Sequence, residues 1–397
     1  MQASTSPLIF LVAGEPSGDE IGGNLMAALR TVAGEEVRFA GVGGEAMAAQ
    51  GLRSLFPIEE LSVMGLVEVL PRALSIMRRM SETAEAIRRL SPDAVVTIDA
   101  PSFANGVWRR LRGVDAPLIH YVAPTVWAWR PGRARKLAAR IDHLLALLPF
   151  EPPYFEAEGL DCTFVGHPGL ETEIETGDGE AFRASHGIGT GPAIGLLPGS
   201  RRNEISRLMP VFAEAIRRIA AEEPGIRAVI PAVPAHADSI RNAVARWRQP
   251  VTVVGDRRQR HAAMAACDVA IAASGTVTLD LALAGVPMVV AYRMNPLTLS
   301  IVRRMVRIRY FTIVNLILDR PAIPEFLQEK CTGGRLAEAA LRLLRDAEAR
   351  RAQREAAEAA LAELRPQGKS PSARAAEAIF DVVRRRSGAR NRKGAIR

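Results

Sequence analysis

Cysteine is scarce in this chain, and the few cysteines lie far apart. The 397 residues contain three, Cys162, Cys267 and Cys331. None of them has the short paired spacing of a zinc site, and three scattered cysteines do not form the disulfide framework of a small secreted protein. The sequence therefore indicates a protein of a reducing compartment, without structural zinc or disulfides.

Secretion signals and long apolar runs are also lacking. Residues 1–7 carry no basic residue before the first apolar run, so we expect no signal peptide. The longest weakly charged run, residues 269–292, contains only Asp280 as a charged residue and is interrupted by Gly275, Gly285 and Pro287. This pattern predicts a strand, a helix and a second strand rather than a membrane span.

The formal net charge of +9 belongs mainly to the C-terminal end. Seven basic residues and no acid lie within residues 384–397, so the rest of the chain carries a net charge of only +2. A nearly neutral body without a basic stripe argues against a nucleic-acid-binding protein. We expect the basic tail to be frayed and solvated, with anionic lipid headgroups as a candidate partner.

Short apolar runs alternate with helical patterns along most of the chain. With 48% hydrophobic residues, a chain of this length can bury two cores. We predict strands near residues 8–12, 37–40, 94–98, 118–121, 144–148 and 162–165, and again near 194–197, 228–230, 251–254, 269–272 and 288–290. This alternation is typical of an α/β protein with two doubly wound, Rossmann-like domains that face a cleft.

A cluster of glycines among polar residues, between Gly166 and Gly191, predicts the joint between the domains. We place an N-terminal domain at residues 1–170 and a C-terminal domain at residues 171–397. Ligands are expected beyond the carboxyl ends of the strands. The composition after residue 334 predicts closing helices, and we expect residues 357–364 to pack back on the first domain.

A strand, a tight loop and a helix near the middle of the chain suit a phosphate group. The apolar run 194–197 ends at Pro198 and Gly199. Ser200 is expected to cap the next helix together with Glu204, and Arg201 offers a fork of donors to phosphate oxygens. Such corners are common in α/β proteins, so this loop alone does not separate a phosphate site from a plain corner.

A second corner of the same kind follows the strand at 269–272. It has Ser274 and Gly275 at the strand end, and a helix that opens at Thr276. The first N–H groups of this helix would face a diphosphate, and Asp280 would accept hydrogen bonds from ribose hydroxyls. The alternative is that Thr276 is only a cap and Asp280 only a solvated residue. Two such corners in one half indicate a nucleotide diphosphate.

One acidic residue ends a strand in the first half. Asp99 follows the strand at 94–98, so its carboxylate would lie at the rim of the sheet, where it can accept a proton. The alternative is an aspartate that caps the turn before Pro101, and the residues alone do not choose. Residues 41–44 lack the full spacing of a dinucleotide fingerprint, and no Asp-X-Asp pair lies at a strand end to hold a metal.

These motifs, taken in order, resemble those of the lipid-A-disaccharide synthases, a family of inverting glycosyltransferases with the two-domain GT-B fold. The resemblance covers residues 8–330 and is carried by Ala13–Asp19, Gly41–Gly44, Ile98–Pro101, Val126–Arg130, Leu147–Glu151, Gly166–Pro168, Leu197–Arg201 and Ser274–Thr276. Two positions depart from the family pattern. Asp280 stands where glutamate is usual, and Pro16 where a small residue is common.

The resemblance implies that UDP-2,3-diacylglucosamine donates its sugar to the 6-hydroxyl of 2,3-diacylglucosamine 1-phosphate, which gives the β-1,6 lipid A disaccharide and UDP. It implies Asp99 as the catalytic base, with no metal and no cofactor. The substrate-binding residues that it implies are Glu15, Ser17, Gly18, Asp19, Arg130, Ser200, Arg201, Glu204, Ser274, Gly275, Thr276, Asp280, Asn315, Glu325 and Gln328. Arg130 would meet the phosphate of the acceptor, and the last three residues would contact the donor.

Residues 64–80 are the candidate membrane contact. Leu70, Ala73, Leu74, Met77 and Met80 recur at helical spacing, and Arg72, Arg78 and Arg79 lie off that stripe. A core-packing face gives the same pattern. Since both implied substrates are lipids, we expect a peripheral protein on the inner face of the cytoplasmic membrane, with its arginines at anionic headgroups. The residues expected to enter the membrane are Leu66, Val67, Val69 and Leu70.

Two hypotheses of other classes remain open at this point. A UDP-sugar epimerase, such as a UDP-N-acetylglucosamine epimerase, would share the diphosphate site but would need no acyl surface. A basic adaptor without catalysis would bind nucleic acid or a membrane, although the nearly neutral body argues against it. The sequence also leaves open whether the protein is a monomer or a homodimer.

Overall fold

The computed structural model describes residues 6–34, 36–61, 66–126, 132–171, 178–294, 309–365 and 368–394, without the side chains of residues 66–73, 257 and 389–394. The chain forms two compact units. One comprises Met1–Glu171 together with Leu364–Arg397, and the other comprises Thr172–Glu363. Residues 364–397, which the sequence analysis placed with the second domain, therefore belong to the first unit.

The first unit is built on a parallel sheet of six strands in the order β2-β1-β3-β4-β5-β6. Its strands are β1 (Leu8–Ala13), β2 (Arg38–Val42), β3 (Ala94–Ile98), β4 (Leu118–Tyr121), β5 (His143–Ala146) and β6 (Asp161–Phe164). The central strands β3, β4 and β5 are buried along their whole length. Their continuous apolar runs predicted this arrangement, because helices cover both faces of a parallel sheet.

Helices pack on both faces of this sheet. They are α1 (Pro16–Ala33), α2 (Glu45–Ala49), α3 (Leu66–Leu90), α4 (Pro101–Trp108), α5 (Gly132–Ala138) and α6 (Pro152–Glu156), with short 3-10 turns at Ile58–Glu60 and Pro168–Leu170. None of the helices in the described part of the chain is long and apolar enough to span a bilayer.

The second unit has another parallel sheet of six strands, in the order β12-β11-β10-β7-β8-β9. Its strands are β7 (Ala193–Leu197), β8 (Arg227–Pro231), β9 (Val251–Val254), β10 (Val269–Ala273), β11 (Met288–Tyr292) and β12 (Glu325–Leu327). The sequence analysis located the first five but missed β12, because a three-residue strand gives no periodic signal.

The helices of the second unit complete the α/β arrangement. They are α7 (Gly179–Ser185), α8 (Arg202–Glu222), α9 (Pro234–Val244), α10 (Arg260–Ala265), α11 (Val277–Leu283), α12 (Ile313–Leu318), α13 (Gly333–Arg345) and α14 (Ala347–Leu364), with 3-10 turns at Arg257–Gln259 and Gln328–Lys330. The strongest helix pairing is between α8 and α13, and Leu336, Ala340 and Leu343 join the core that α8 covers. The predicted GT-B type of fold, with one Rossmann-like sheet in each unit, is confirmed.

The chain returns to the first unit through its last helix, α15 (Pro371–Gly394). Ala375, Ile379 and Phe380 pack in the same core as Ile9 and Leu11 of β1. The predicted return of a C-terminal helix is therefore confirmed, but its position was wrong, because residues 357–363 belong to the second unit. Both segments are rich in alanine and arginine, so their composition does not distinguish them.

The basic tail begins as an ordered helix rather than a frayed end. Arg385 pairs with Asp161 at 3.7 Å, and Arg386 pairs with Asp142 at 3.5 Å. Both acids lie in the first unit, at β6 and just before β5. Two of the charges that we expected to be solvated thus bind carboxylates at the side of the sheet.

The order of the strands gives each unit one switch point. In the first unit the chain runs from β1 to β2 on one side and then crosses to β3 on the other. In the second unit it runs from β7 to β8 and β9, and then crosses to β10. Ligands of open parallel sheets bind beside such switch points, outside the carboxyl ends of the strands. Most of the candidate residues lie just after β1 and β3 and just after β7 and β10, whereas Asn315, Glu325 and Gln328 lie at or near β12.

Candidate active site

In the first unit the loops after β1 and β3 touch at the switch point. A β-carbon at Gly14 would lie 2.4 Å from the β-carbon of Ala100, so a larger residue would force the loops apart. The Ser17 hydroxyl donates to Asp99 Oδ2 at 3.4 Å, near the outer limit of a hydrogen bond. The structure therefore brings Ser17 and Asp99 together, because β1 and β3 are neighbours in the sheet.

Asp99 lies at a strained point of the backbone. Its φ is 51° and that of Ala100 is 45°, both in the left-handed region. The Asp99 N–H still donates to the Tyr121 carbonyl at 3.0 Å, so the backbone hydrogen bonds between β3 and β4 continue as far as the turn. Left-handed residues other than glycine cost of order 1–3 kcal/mol each and cluster at functional sites. Asp99 is half-buried, and its carboxylate makes no ion pair within the described residues.

Glu15 and Gly18 shape the loop that leads from β1 into α1. Glu15 is the N-cap residue of α1, and its carbonyl accepts the Asp19 N–H at 3.0 Å. Gly18 is buried, and a β-carbon there would lie 3.1 Å from the Ile98 carbonyl oxygen. Such a close approach leaves little room for a side chain. The role of Gly18 on this geometry is to let the loop lie against β3.

Asp19 has a structural role that the sequence analysis did not foresee. It is only 6% exposed, and its carboxylate accepts the N–H groups of Gly44, Ala46 and Met47 at 2.6, 2.9 and 3.1 Å. These groups form the start of α2, where a negative charge is favourable. Asp19 therefore has a positioning role, and its contact with a substrate stays a prediction. It ties the loop after β2 to α1.

The histidines of the first unit have structural roles. His120 and His143 are buried in the sheet. His167 accepts the Gly169 N–H on Nδ1 at 3.1 Å, and burial lowers its pKa to about 4. His167 is thus neutral at pH 7 and orients its loop.

Sequence reasoning missed a cavity beside α4, with a volume of about 580 Å³. Pro101 of α4, His120 of β4 and Arg133 of α5 are among the residues that line it. These residues are distant in the sequence and share no motif. Only the adjacency of β3 and β4 in the sheet brings them together.

In the second unit the loop after β7 turns at Gly199, whose φ is 100°. Arg201, not Ser200, is the N-cap residue of α8, and no side chain caps that helix. The predicted cap at Ser200 is therefore wrong, because the turn at Gly199 delays the helix by one residue. The Glu204 carboxylate lies against the turn, since its Oε2 would lie 2.4 Å from a β-carbon at Gly199.

The predicted phosphate-binding residues of this loop remain accessible. Ser200 is exposed, and the side chain of Arg201 is 65% exposed and lies 3.3 Å from Glu204 Oε1. Tyr292 at the end of β11 is near the same charges, because burial and then the charge of Glu204 raise its pKa. The loop thus presents the exposed guanidinium of Arg201 at the switch point.

The predicted turn between β10 and the next helix is present, but not all of its residues face solvent. Gly275 and Thr276 are exposed at the start of α11. The Ser274 hydroxyl donates to the Phe311 carbonyl at 3.1 Å, so it holds the backbone near α12. Of the three predicted residues, Gly275 and Thr276 therefore present free surface, while Ser274 is engaged within the protein.

Asp280 has a partner that the sequence did not indicate. Arg260 of α10 pairs with Asp280 Oδ2 at 3.2 Å. Burial raises the pKa of Asp280 above its ordinary value, and the charges of Arg260 and His261 oppose that shift. The carboxylate is therefore not an unpaired acceptor for ribose. Its second oxygen is the one left for a ligand.

Asn315 and Glu325 form a buried network in the second unit. Glu325 accepts from the N–H groups of Phe311 and Thr312 and from the Asn315 side-chain amide at 2.9 Å. Asn315 also exchanges two hydrogen bonds of 2.8 Å with the backbone of Ile323. Both side chains thus hold α12 against β12, and their contact with the donor stays a prediction.

Gln328 differs from these two. Its φ is 53°, and its side-chain oxygen accepts the Met294 N–H at 3.3 Å. It remains a candidate for the donor, through its amide N–H₂ group.

The other candidate residues have no side-chain description. Arg130 lies outside the described residues, and so do the side chains of Leu66, Val67, Val69 and Leu70, although α3 includes their backbone. In the described part of the chain, no group of three or more histidine, cysteine, aspartate or glutamate residues could hold a metal ion.

Comparison with known proteins places this arrangement in a family. A protein-family model described as lipid-A-disaccharide synthetase matches residues 9–380. The chain belongs to the lipid-A-disaccharide synthetase family. A lipid-A-disaccharide synthase of Rhodospirillum centenum is 52% identical over 96% of this chain and 95% of its own length. One of Ruegeria pomeroyi is 47% identical over 94% of each chain.

Solved structures share the fold at low identity. A putative UDP-N-acetylglucosamine 2-epimerase of Listeria monocytogenes has a TM-score of 0.62, with 15% identity over 95% of each chain. The Acinetobacter baumannii MurG has a TM-score of 0.56, with 15% identity over 96% of this chain and 99% of its own. At such identity the likeness concerns the fold alone, and the lipid-A-disaccharide synthetase family is what separates this chain from the epimerases.

Proposed function

We propose that this chain transfers the sugar of UDP-2,3-diacylglucosamine to the 6-hydroxyl of 2,3-diacylglucosamine 1-phosphate, giving the β-1,6-linked disaccharide and UDP. Family membership over residues 9–380 supports the reaction. The observation that carries the proposal is the strained, half-buried Asp99 at the switch point of the first unit. The first unit would hold the acceptor, and the second would hold the UDP-sugar.

Asp99 has the position that a general base needs. Its carboxylate accepts only a long hydrogen bond from Ser17 and no cation pairs with it within the described residues. It can therefore take the proton of the 6-hydroxyl as that oxygen attacks the anomeric carbon. The bond from the anomeric carbon to the UDP oxygen breaks on the opposite face, so the configuration at that carbon inverts.

The leaving UDP gains negative charge as that bond breaks. Arg201, the Ser200 hydroxyl and N–H, and the N–H groups at Gly275 and Thr276 are the donors of the second unit placed to meet it. Donors already in place when charge develops often supply the largest part of catalysis. The Asp280 oxygen that does not pair with Arg260 and the amide N–H₂ group of Gln328 are then the candidates for contacts with the ribose and the base of UDP.

Replacement of Arg201 by alanine should weaken UDP binding about tenfold and lower turnover as well, because charge-assisted contacts to phosphate would be lost from both ground and transition states. Isothermal titration with UDP measures the affinity. Arg202→Ala is the matched control, because Arg202 is the next residue, is exposed and carries the same charge. Equal losses in both variants would show only a general effect of charge.

Helix α3 supplies the proposed membrane contact. Leu74 is 76% exposed and Met77 is 45% exposed, whereas Met80 packs against Gly106 in the core. The predicted apolar stripe is therefore only partly exposed, because Leu74 and Met77 face solvent and Met80 faces the core. Arg79 is not available to headgroups, because it pairs with Glu60 and Glu82.

Leu66, Val67, Val69 and Leu70, which we expect to enter the membrane, precede Leu74 and Met77 in the same helix, and their side chains lie outside the described residues. Arg78 is exposed and beside them. An apolar surface with the exposed Arg78 beside it suits an anionic membrane. The protein would then work at the inner face of the cytoplasmic membrane, where both lipid substrates would reach it.

The double variant Leu74→Ser/Met77→Ser should bind vesicles of phosphatidylethanolamine and phosphatidylglycerol at least about tenfold more weakly, because two side chains no longer leave water. Flotation of the protein with the vesicles measures this. Leu90→Ser, at the far end of α3 and 39% exposed, is the control. The membrane proposal fails if the control loses as much binding, or if the double variant unfolds without any change in flotation.

The reaction itself is tested by leaving out one substrate at a time. UDP release that requires both the donor and the acceptor supports the proposed transfer. Conversion of the UDP-sugar without the acceptor would instead support an epimerase, and absence of any turnover would favour a protein that only binds lipid.

A further inference from the structure

The cavity beside α4 has a shape and lining that the sequence motifs do not explain. Its volume of about 580 Å³ is within the range of small-molecule pockets. Ser102 and Trp108 of α4, His120 of β4, and Arg133 and Lys136 of α5 line it, together with Arg140. All of them belong to the first unit.

The charge of this lining has one sign. Arg133, Lys136 and Arg140 are cations, and the described residues of the lining include no acid. Arg140 donates to the Asn105 side-chain oxygen, but Arg133 and Lys136 are exposed and make no hydrogen bond or ion pair within the described chain. Two like charges one helical turn apart repel each other unless an anion lies between them.

The inner part of the cavity is aromatic and neutral. Trp108 is 5% exposed, and its ring meets that of His120 edge to face at 4.9 Å. Burial lowers the pKa of His120 to about 4, so the ring carries no charge at pH 7. Within the described part of the chain, the buried Trp108 Nε1–H has no acceptor, which is unusual for a native protein. A ligand with an acceptor oxygen would satisfy it.

The cavity begins two residues after Asp99. Pro101, the first residue of α4, is part of its wall. The C1 and C6 substituents of a glucosamine lie on opposite sides of the ring oxygen. One acceptor sugar can therefore present its 6-hydroxyl to Asp99 while a group on C1 reaches away from Asp99 and along α4.

We propose that this cavity binds the phosphate monoester on C1 of the acceptor sugar, through Arg133 and Lys136. The proposal rests on the proposed function, since it names the subsite of that acceptor. The two cations bind the phosphate oxygens, and the aromatic interior takes adjoining polar and apolar parts of the same molecule. The site distinguishes a phosphorylated acceptor from the free sugar.

The test compares 2,3-diacylglucosamine 1-phosphate with 2,3-diacylglucosamine, both in the same detergent micelles. In Arg133→Gln/Lys136→Gln, the KM and the equilibrium dissociation constant for the phosphorylated acceptor should rise about tenfold, because two charged contacts are lost. The KM and the dissociation constant for the unphosphorylated acceptor should equal those of the unaltered protein, and so should the KM for the UDP-sugar. Each single variant should show an intermediate rise.

Arg135→Gln is the matched control, because Arg135 is on the same helix but pairs with Glu158 and does not line the cavity. Equal weakening for both acceptors, or an effect on UDP alone, would overturn the proposal, as would an equal effect of the control. Competition by inorganic phosphate as strong as that of the lipid would show a site for free phosphate instead. The dissociation constants of the two acceptors can be measured without turnover. A protein that binds both acceptors but transfers no sugar would refute the proposed function, and the difference between the two constants would still test the phosphate subsite.

Discussion

Replacement of Asp99 by asparagine should lower turnover by about 10²-fold or more while the protein stays folded and binds UDP normally. The loss follows because the amide cannot accept the proton of the attacking hydroxyl, and a positioned general base contributes about 10²–10⁴-fold. Asparagine is preferable to alanine here, because the left-handed φ of 51° at this position is one that asparagine tolerates well.

Steady-state kinetics with both lipids, calorimetry with UDP and a thermal melt together measure this result. Ser17→Ala is the companion variant, since it removes the hydroxyl that donates to Asp99 and leaves the carboxylate in place. We expect a much smaller loss from it. Turnover of Asp99→Asn close to that of the unaltered protein would assign the base to another group.

Asp19→Ala should destabilise the protein by about 3 kcal/mol, because the N–H groups of Gly44, Ala46 and Met47 lose a charged acceptor in a mostly buried place. For a unit of this size that corresponds to a fall in Tm of about 10 °C. A thermal melt followed by circular dichroism measures it. Activity should fall too, since α2 holds α1 in place and the first turn of α1 carries Ser17.

Asp178→Ala is the matched control for this loss. Asp178 caps α7 through one exposed hydrogen bond, to the Ala181 N–H at 2.8 Å. Removing a single exposed cap costs about 1 kcal/mol. Should Asp19→Ala cost no more than Asp178→Ala, water must satisfy the three N–H groups, and the positioning role of Asp19 would be refuted.

The fold and the places of the loops could be predicted from the sequence because they depend on local signals. Continuous apolar runs located most strands, and strand ends located Asp99 and the loop at Gly199. Because the strand order has one switch point in each sheet, residues distant in the chain, such as Ser17 and Asp99, come together there.

The function of individual side chains was harder to predict, because it depends on partners distant in the sequence. Asp19, Asn315 and Glu325 lie in motifs that resemble substrate-binding ones, yet backbone groups occupy their polar atoms. Asp280 has Arg260 as a partner, from a helix that carries no motif. A polar residue in a conspicuous loop can serve the loop itself, and only the geometry separates the two roles.

The most direct test of the account is the structure of the product made by the purified protein. After incubation with UDP-2,3-diacylglucosamine and 2,3-diacylglucosamine 1-phosphate, mass spectrometry and proton NMR should show one β-1,6-linked disaccharide 1-phosphate for each UDP released. An α linkage would contradict the single inverting displacement at Asp99. UDP release without any disaccharide would contradict the transfer itself.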